Sequence, residues 1–184
     1  MSHLHILPSP ARRLTPDEAC LDTFQRELDY VYRTLRRLGV SSSEVEDLAQ
    51  EVFLALRRSW REYDPERPIR PYLFGIAFRI AAAYQRKRNR EVAFGTVEPG
   101  DSGPWPDEAL QSKQARAMVL AALERIPLPR RAVLVMHDLD DVPVGEVASV
   151  LAIPLFTAYS RLRKARRELE TAVRRMLREV DASR

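Results

Sequence analysis

Cysteine is almost missing from this 184-residue chain: Cys20 is the only one. A single thiol excludes an intramolecular disulfide and suggests no oxidising compartment. Its expected role is that of a small apolar side chain on a helix. Glycine is scarce too, with 6 residues, three of them at 95, 100 and 103. That leaves little material for a glycine-rich phosphate loop. The 3 histidines, His3, His5 and His137, do not fall at the spacing of a zinc site or a catalytic triad. No cofactor, metal or catalytic group is therefore expected. No apolar run approaches the length of a membrane span, and the opening Met1-Ser2-His3-Leu4-His5 lacks a charged-then-apolar signal pattern. The expected location is the cytoplasm. Strand-like alternation is absent throughout, which points to an all-α fold.

What is present is a soluble, mildly basic composition. Hydrophobic residues make up 45% and charged residues 30%; Lys and Arg total 30 against 26 Asp and Glu, for a net charge of +4. So small an excess matters by its placement, and nucleic acid or an acidic membrane surface are the partners such charge attracts.

The chain divides by texture. Residues 1–14, with Pro8 and Pro10, show no periodicity and are expected to form a loose tail. Thr15-Pro16-Asp17-Glu18 is a helix start, with Thr15 as N-cap and Glu18 closing a capping box. Behind it Leu21, Phe24, Leu28, Val31, Leu35 and Leu38 recur at steps of three and four, which predicts one long helix stopped by Gly39. Ser43 and Glu46 suggest a second capping box, opening a helix that buries Val45, Leu48, Val52, Phe53, Leu56 and Trp60. After a polar connector from Arg61 to Arg70, a third helix carries Leu73, Ile76, Ala77, Ile80 and Tyr84 inward and ends in Arg86-Lys87-Arg88-Asn89-Arg90. Residues 15–91 thus read as a helical bundle. Residues 92–107, rich in Gly, Pro and acidic side chains, read as a partly flexible linker with Trp105 tucked against a domain edge. Residues 108–184 read as four helices: Leu110–Ile126, Arg130–Leu139 after a break framed by Pro127 and Pro129, Val144–Leu151, and Leu155 to about Val180.

Three constellations stand out. The short helix bearing Glu146, Val147, Ala148 and Leu151 meets a tight connection at Ala152-Ile153-Pro154 and then a helix with a basic outer face, which makes a helix-turn-helix. Ala158, Leu162, Ala165, Leu169 and Val173 form the inner stripe of the second helix. Tyr159, Ser160, Arg163, Lys164, Arg166 and Arg167 point elsewhere, suited to base edges and phosphates. Asp47, Gln50, Glu51 and Leu54 fall at i, i+3, i+4 and i+7 and share one exposed face, a solubilising surface if taken alone. Finally, Tyr63, Arg67, Arg70 and Tyr72 precede the basic stretch from Arg79 to Arg90. Aromatics beside arginines suit unstacked bases as well as phosphates, although core packing accounts for many aromatics.

In this order the pieces resemble the extracytoplasmic-function (ECF) sigma factors. The resemblance rests on Asp47-Leu48-Ala49-Gln50-Glu51-Val52-Phe53, Tyr63-Asp64-Pro65, Pro71-Tyr72-Leu73 with Ile76-Ala77, Arg131-Ala132-Val133-Leu134, Glu146-Val147-Ala148 and Ser160 through Arg166. It implies two small helical domains, an N-terminal bundle and a C-terminal helix-turn-helix domain, joined by a flexible linker. It implies that the face of Asp47, Gln50, Glu51 and Leu54 docks on the clamp helices of the largest subunit of core RNA polymerase. It also implies that Tyr63, Arg67, Arg70, Tyr72, Arg79, Arg86, Arg88 and Arg90 engage the minus-ten element and capture an unstacked base. Thr157, Tyr159, Ser160, Arg161, Arg163, Lys164 and Arg167 are implied to read the minus-thirty-five duplex. An anti-sigma factor is an implied partner besides polymerase and promoter DNA.

The sequence departs from the family pattern at several places. Tyr72 stands where tryptophan is frequent, Arg79 where asparagine is, and Ala83 where aspartate is. Ala152 replaces a glycine common in the helix-turn-helix turn, where a left-handed conformation costs another residue about 1 kcal/mol. Pro143 replaces a common Ser/Thr cap. Leu155-Phe156 replaces a more polar pair, with Phe156 either packed on the domain or touching a thymine methyl. The competing reading is a conventional helix-turn-helix repressor or activator whose N-terminal bundle dimerises or binds a ligand. A nucleic-acid enzyme is disfavoured by the lack of a carboxylate cluster or nucleophile dyad.

Overall fold

The computed structural model describes residues 15–93 and 110–182, and every regular element among them is helical. The order is α1 (Pro16–Arg26), α2 (Leu28–Arg37), α3 (Val45–Ser59), a 3-10 turn (Trp60–Glu62), α4 (Ile69–Ala93), α5 (Leu110–Glu124), α6 (Leu128–Leu134), a π-helical stretch (Val135–Leu139), α7 (Val144–Val150) and α8 (Leu155–Ala182). The first four helices form one helical domain and the last four a second. The expected tail and Trp105, with most of the expected linker, lie outside the described residues.

Each domain closes around its apolar stripes. Val31, Leu35, Val52, Leu56, Leu73 and Phe74 are fully buried in the first, and Ile126, Val133, Met136, Val147 and Ala158 in the second. Each large buried side chain contributes roughly 1.5–3 kcal/mol relative to leaving it in water. Cys20 is buried at 1% exposure, which fits the apolar role expected of it. The Thr15 capping box forms as read: Glu18 N–H donates to Thr15 Oγ1 at 3.2 Å, and Thr15 N–H donates to Glu18 Oε2 at 2.8 Å.

Several boundaries differ from the sequence reading. The first apolar stripe spans two helices, because the backbone breaks from helical geometry at Glu27 (φ −102°, ψ 7°). Glu27 accepts a 2.8 Å hydrogen bond from Arg70 of α4 at this break. The capping box at Ser43 does not form. The Ser43 hydroxyl instead meets that of Ser41 at 3.1 Å, and α3 begins after Glu44 with no side-chain cap. Trp60 lies in the 3-10 turn rather than in α3. The expected break falls at 125–127: Pro127 closes it as the N-cap of α6, while Pro129 sits inside the first turn of α6, where its missing N–H costs nothing. α4 runs to Ala93, two residues into the expected linker.

Candidate nucleic-acid interface

The helix-turn-helix is built from its turn outward. α7 ends at Val150 with Leu151 as its C-cap, and Ala152 takes the left-handed conformation at φ 50°. Ile153 N–H donates to Ala148 O at 2.9 Å and Ala152 N–H to Ser149 O at 3.2 Å, which is the Schellman pattern that satisfies the last carbonyls of a helix. Pro154 then starts α8 at once. The inner stripe of α8 is buried at Ala158 (0%), Leu162 (5%) and Ala165 (0%), against α5, α6 and α7.

At about 100° per residue, Phe156, Ser160, Arg163 and Arg167 share one row on the side opposite that stripe. Phe156, Arg163 and Arg167 are exposed and Ser160 is half-buried. Lys164 and Tyr159 flank the row and are exposed, whereas Thr157 and Arg161 lie nearer the packed edges and are half-buried. Arg166 has a different job from the outward one expected. It makes two hydrogen bonds to Asp138, Nε–Oδ2 at 2.9 Å and Nη2–Oδ1 at 2.6 Å, tying α8 to the π-helical stretch. That pairing holds the Asp138 carboxyl below the ordinary carboxylate range. Arg130 likewise makes a bidentate pair with Glu168, at 2.9 and 2.7 Å.

In the first domain, Trp60 stacks on Tyr63 with ring centroids 5.3 Å apart, and Tyr63 meets Tyr72 at 5.2 Å. Burial raises the Tyr63 phenol above its ordinary pKa, and its hydroxyl donates to the Arg67 carbonyl. Tyr72, Arg79, Arg86 and Arg90 follow one another at seven, seven and four residues along α4, a single row by helical geometry. Arg79, Arg86 and Arg90 are exposed. Arg70 and Arg88 fall roughly half a turn away from that row. Arg70 is engaged with Glu27 and lies 5.3 Å over the Tyr30 ring, so it faces the α1–α2 break rather than the aromatic stack. Arg67 pairs loosely with Asp64 at 3.8 Å.

On α3, Asp47, Gln50 and Glu51 are exposed and Leu54 is 46% exposed, so the four residues form the outward face expected of their spacing. His137 hydrogen-bonds the Val142 carbonyl through Nδ1 at 2.8 Å, which explains it structurally.

Sequence reasoning did not find Arg131 as a positioning residue. It is buried at 4% exposure and donates from Nε to Ile126 O (3.1 Å) and from Nη2 to Glu124 O (2.8 Å) and Ile126 O (2.9 Å). These bonds cap the carbonyl end of α5. Burial lowers its pKa to about 10, so it keeps its charge at neutral pH. A buried arginine looks like a surface one in sequence, and only the carbonyls around it reveal the difference.

A helix-turn-helix with a cationic outer row, joined to a bundle with an aromatic and basic helix, defines a two-domain DNA-binding protein. Residues 23–91 match the family model for Sigma-70 region 2, and residues 116–169 match that for Sigma-70, region 4. The chain belongs to the sigma-70 family and is a transcription-initiation factor of its ECF group. It is 26% identical over 144 residues to RNA polymerase sigma factor CnrH of Cupriavidus metallidurans, spanning 73% of this chain and 75% of that protein. It is 28% identical over 163 residues to ECF RNA polymerase sigma factor SigE of Mycolicibacterium smegmatis, spanning 84% of this chain and 63% of that protein. Its fold is similar to that of sigma factor RpoE from Bartonella quintana, solved in complex with the anti-sigma factor NepR. That match has a TM-score of 0.66 and 20% identity, covering 83% of this chain and 98% of that one. The family is one of regulators rather than catalysts. No helix among the described residues is long and apolar enough to cross a membrane.

Proposed function

We propose that the two domains, 15–91 and 108–184 around a connecting segment 92–107, divide promoter recognition between them while α3 holds core RNA polymerase. The outward row of α8 carries this reading, because a helix whose inner stripe is locked and whose outer side is cationic is shaped for the major groove. Ser160, Arg163 and Arg167 meet the minus-thirty-five element along the row. Thr157, Tyr159, Arg161 and Lys164 flank it, where phosphates run.

In the first domain the Trp60–Tyr63–Tyr72 stack gives an unstacked base of the minus-ten element a π-face, and Arg79, Arg86 and Arg90 follow the backbone. Arg67 approaches the same strand from the connector, and Arg88, half a turn from the row on α4, meets it from the other side of that helix. Arg70 joins them only after exchanging Glu27 for a phosphate. The face of Asp47, Gln50, Glu51 and Leu54 docks on the clamp helices of the largest polymerase subunit, with carboxylates at its centre and Leu54 as its apolar contact. The protein works in the cytoplasm, uses no cofactor and performs no catalysis of its own. An anti-sigma factor is its regulator; the complex of RpoE with NepR supports this by likeness of fold.

Runoff transcription with purified core polymerase and a genomic promoter pool tests the reading. Specific transcripts are expected only when both proteins are present. Joint substitution Asp47→Lys and Glu51→Lys is expected to abolish them while leaving the melting temperature and duplex binding by α8 unchanged. Transcripts that ignore the added protein, together with tight duplex binding by the protein alone, would overturn it.

A further inference from the structure

The first turn of α8 is apolar where a groove-reading helix has its best access to base edges. Leu155, Phe156 and Tyr159 are 50%, 77% and 57% exposed. Isolated exposed apolar residues are ordinary, but three within five residues on one side of a helix form a patch that asks for a partner. Phe156 also stands at the head of the outward row that continues through Ser160, Arg163 and Arg167. It therefore does not pack on its own domain.

We propose that Phe156 reads the 5-methyl group of a thymine in the minus-thirty-five element, giving α8 an apolar specificity contact. This rests on α8 being the promoter-reading helix. The surroundings select DNA as the occupant of the patch. From Leu155 to Arg167 the sequence contains five cations, Arg161, Arg163, Lys164, Arg166 and Arg167, and no carboxylate. Arg166 is taken by Asp138, which leaves four cations around or behind Phe156 for a polyanion.

The chemistry then selects the base. A phenyl ring offers no donor or acceptor, so setting it against a polar base edge strips water from that edge and returns nothing. In the major groove the methyl of thymine is the one apolar group among the base edges. The direction of the side chain agrees with this. Helical side chains lean toward the N-terminus, so the ring projects past the first turn, toward the end of the helix that enters the groove. Arg167 lies about 16 Å further along the helix at 1.5 Å per residue, a separation that suits a phosphate contact outside the groove floor.

The test uses the full chain with core polymerase and a promoter duplex recovered from the transcription pool. Thymines of the minus-thirty-five element are replaced singly by deoxyuridine, which removes the methyl and nothing else. At one position the change is expected to weaken binding by about fourfold, the effect of leaving one methyl unburied. Phe156→Ala is expected to weaken binding to the parent duplex and to bind the thymine and uracil forms equally. Phe156→Leu is expected to keep part of the discrimination. Equal melting temperatures of the variants and the parent establish that folding is not the cause.

A Phe156→Ala protein that retains the parent's preference for the methyl overturns the proposal. So does the lack of any responsive thymine while Arg163→Ala and Arg167→Ala still reduce duplex binding; that result leaves the promoter-reading role of α8 standing. If Phe156→Ala spares DNA binding but weakens binding to core polymerase, the patch is a protein-docking surface and the proposal fails. If Arg163→Ala and Arg167→Ala leave duplex binding intact, the assignment of α8 itself fails and takes the proposal with it.

Discussion

Ala152 holds a left-handed backbone (φ 50°) at the one position where the helix-turn-helix needs it. A β-carbon there crowds the following carbonyl, at a cost of about 1 kcal/mol that glycine avoids. Ala152→Gly is therefore expected to stabilise the C-terminal domain by about 1 kcal/mol, read as a higher urea midpoint with an unchanged slope. This strain was legible in the sequence, since the position is one where the family pattern has glycine. The positive φ of Asp141 (55°) was not legible, because aspartate is ordinary in turns of every kind. Asp138 offers a second measurement. Its carboxyl is held below the ordinary range by the Arg166 hydrogen bonds, so its contribution is present above the unfolded-state pKa near 3.9 and disappears as pH falls through the lower folded value. Arg166 is half exposed, with a side-chain exposure of 55%, which limits the effect to less than about 1 kcal/mol. Asp138→Asn is expected to lower the denaturation midpoint slightly at pH 7, and the variant and parent curves are expected to converge as the pH falls through the lowered folded-state pKa. A gap that persists in acid would locate the stabilisation elsewhere.

Among the elements, α2 ends as α7 does. Gly39, at φ 91°, follows the last turn, with Gly39 N–H donating to Arg36 O and Val40 N–H to Leu35 O, both at 3.0 Å. A β-carbon at Gly39 would collide with the Arg131 guanidinium and approach Gln85 Nε2 to 2.8 Å. Gly39→Ala thus adds a clash to the left-handed penalty, and a loss of more than about 1 kcal/mol is expected in equilibrium unfolding. Elements whose cause is local were the ones that could be read from sequence. The Thr15 cap, the Gly39 stop, the exposed face of α3 and the two-sided character of α8 each follow from residues within a turn or two of one another. The split between α1 and α2 escaped because the apolar stripe runs unbroken across Glu27, and the contact Glu27 makes there is with Arg70, in another helix. The false capping box at Ser43 has the same origin, since Ser41 competes for the hydroxyl and is itself a hydrogen-bond partner of Tyr84 in α4 at 3.2 Å.

The whole molecule adds contacts between the domains that no spacing encodes. Tyr30 and Asp140 are 110 residues apart, yet the Tyr30 hydroxyl donates to Asp140 Oδ2 at 2.9 Å, and Arg37 Nη1 donates to Oδ1 at 2.9 Å. Beside this clasp α4 meets α7 at Gly75, where an added β-carbon would lie 3.2 Å from Val150 Cγ1. A cleft of about 570 Å³ runs between the domains, with Arg70, Pro71, Asp140 and Glu146 among its walls. Arg70, proposed to meet the minus-ten strand, therefore faces carboxylates of the other domain while the two are docked. Burial holds the Asp140 carboxyl above its ordinary pKa against the pull of both donors, so the clasp fixes geometry more than it adds stability. Such an interface suits domains that move relative to one another. Asp140→Ala leaves the buried Tyr30 hydroxyl without its acceptor, a cost of about 1–3 kcal/mol to the docked state alone. Spin labels at Ser43 and Arg174 are expected to report a longer and broader distance distribution in the variant, with the helical circular dichroism unchanged. An unaltered distribution would mean that the apolar contact around Gly75 holds the domains together and that the clasp is incidental.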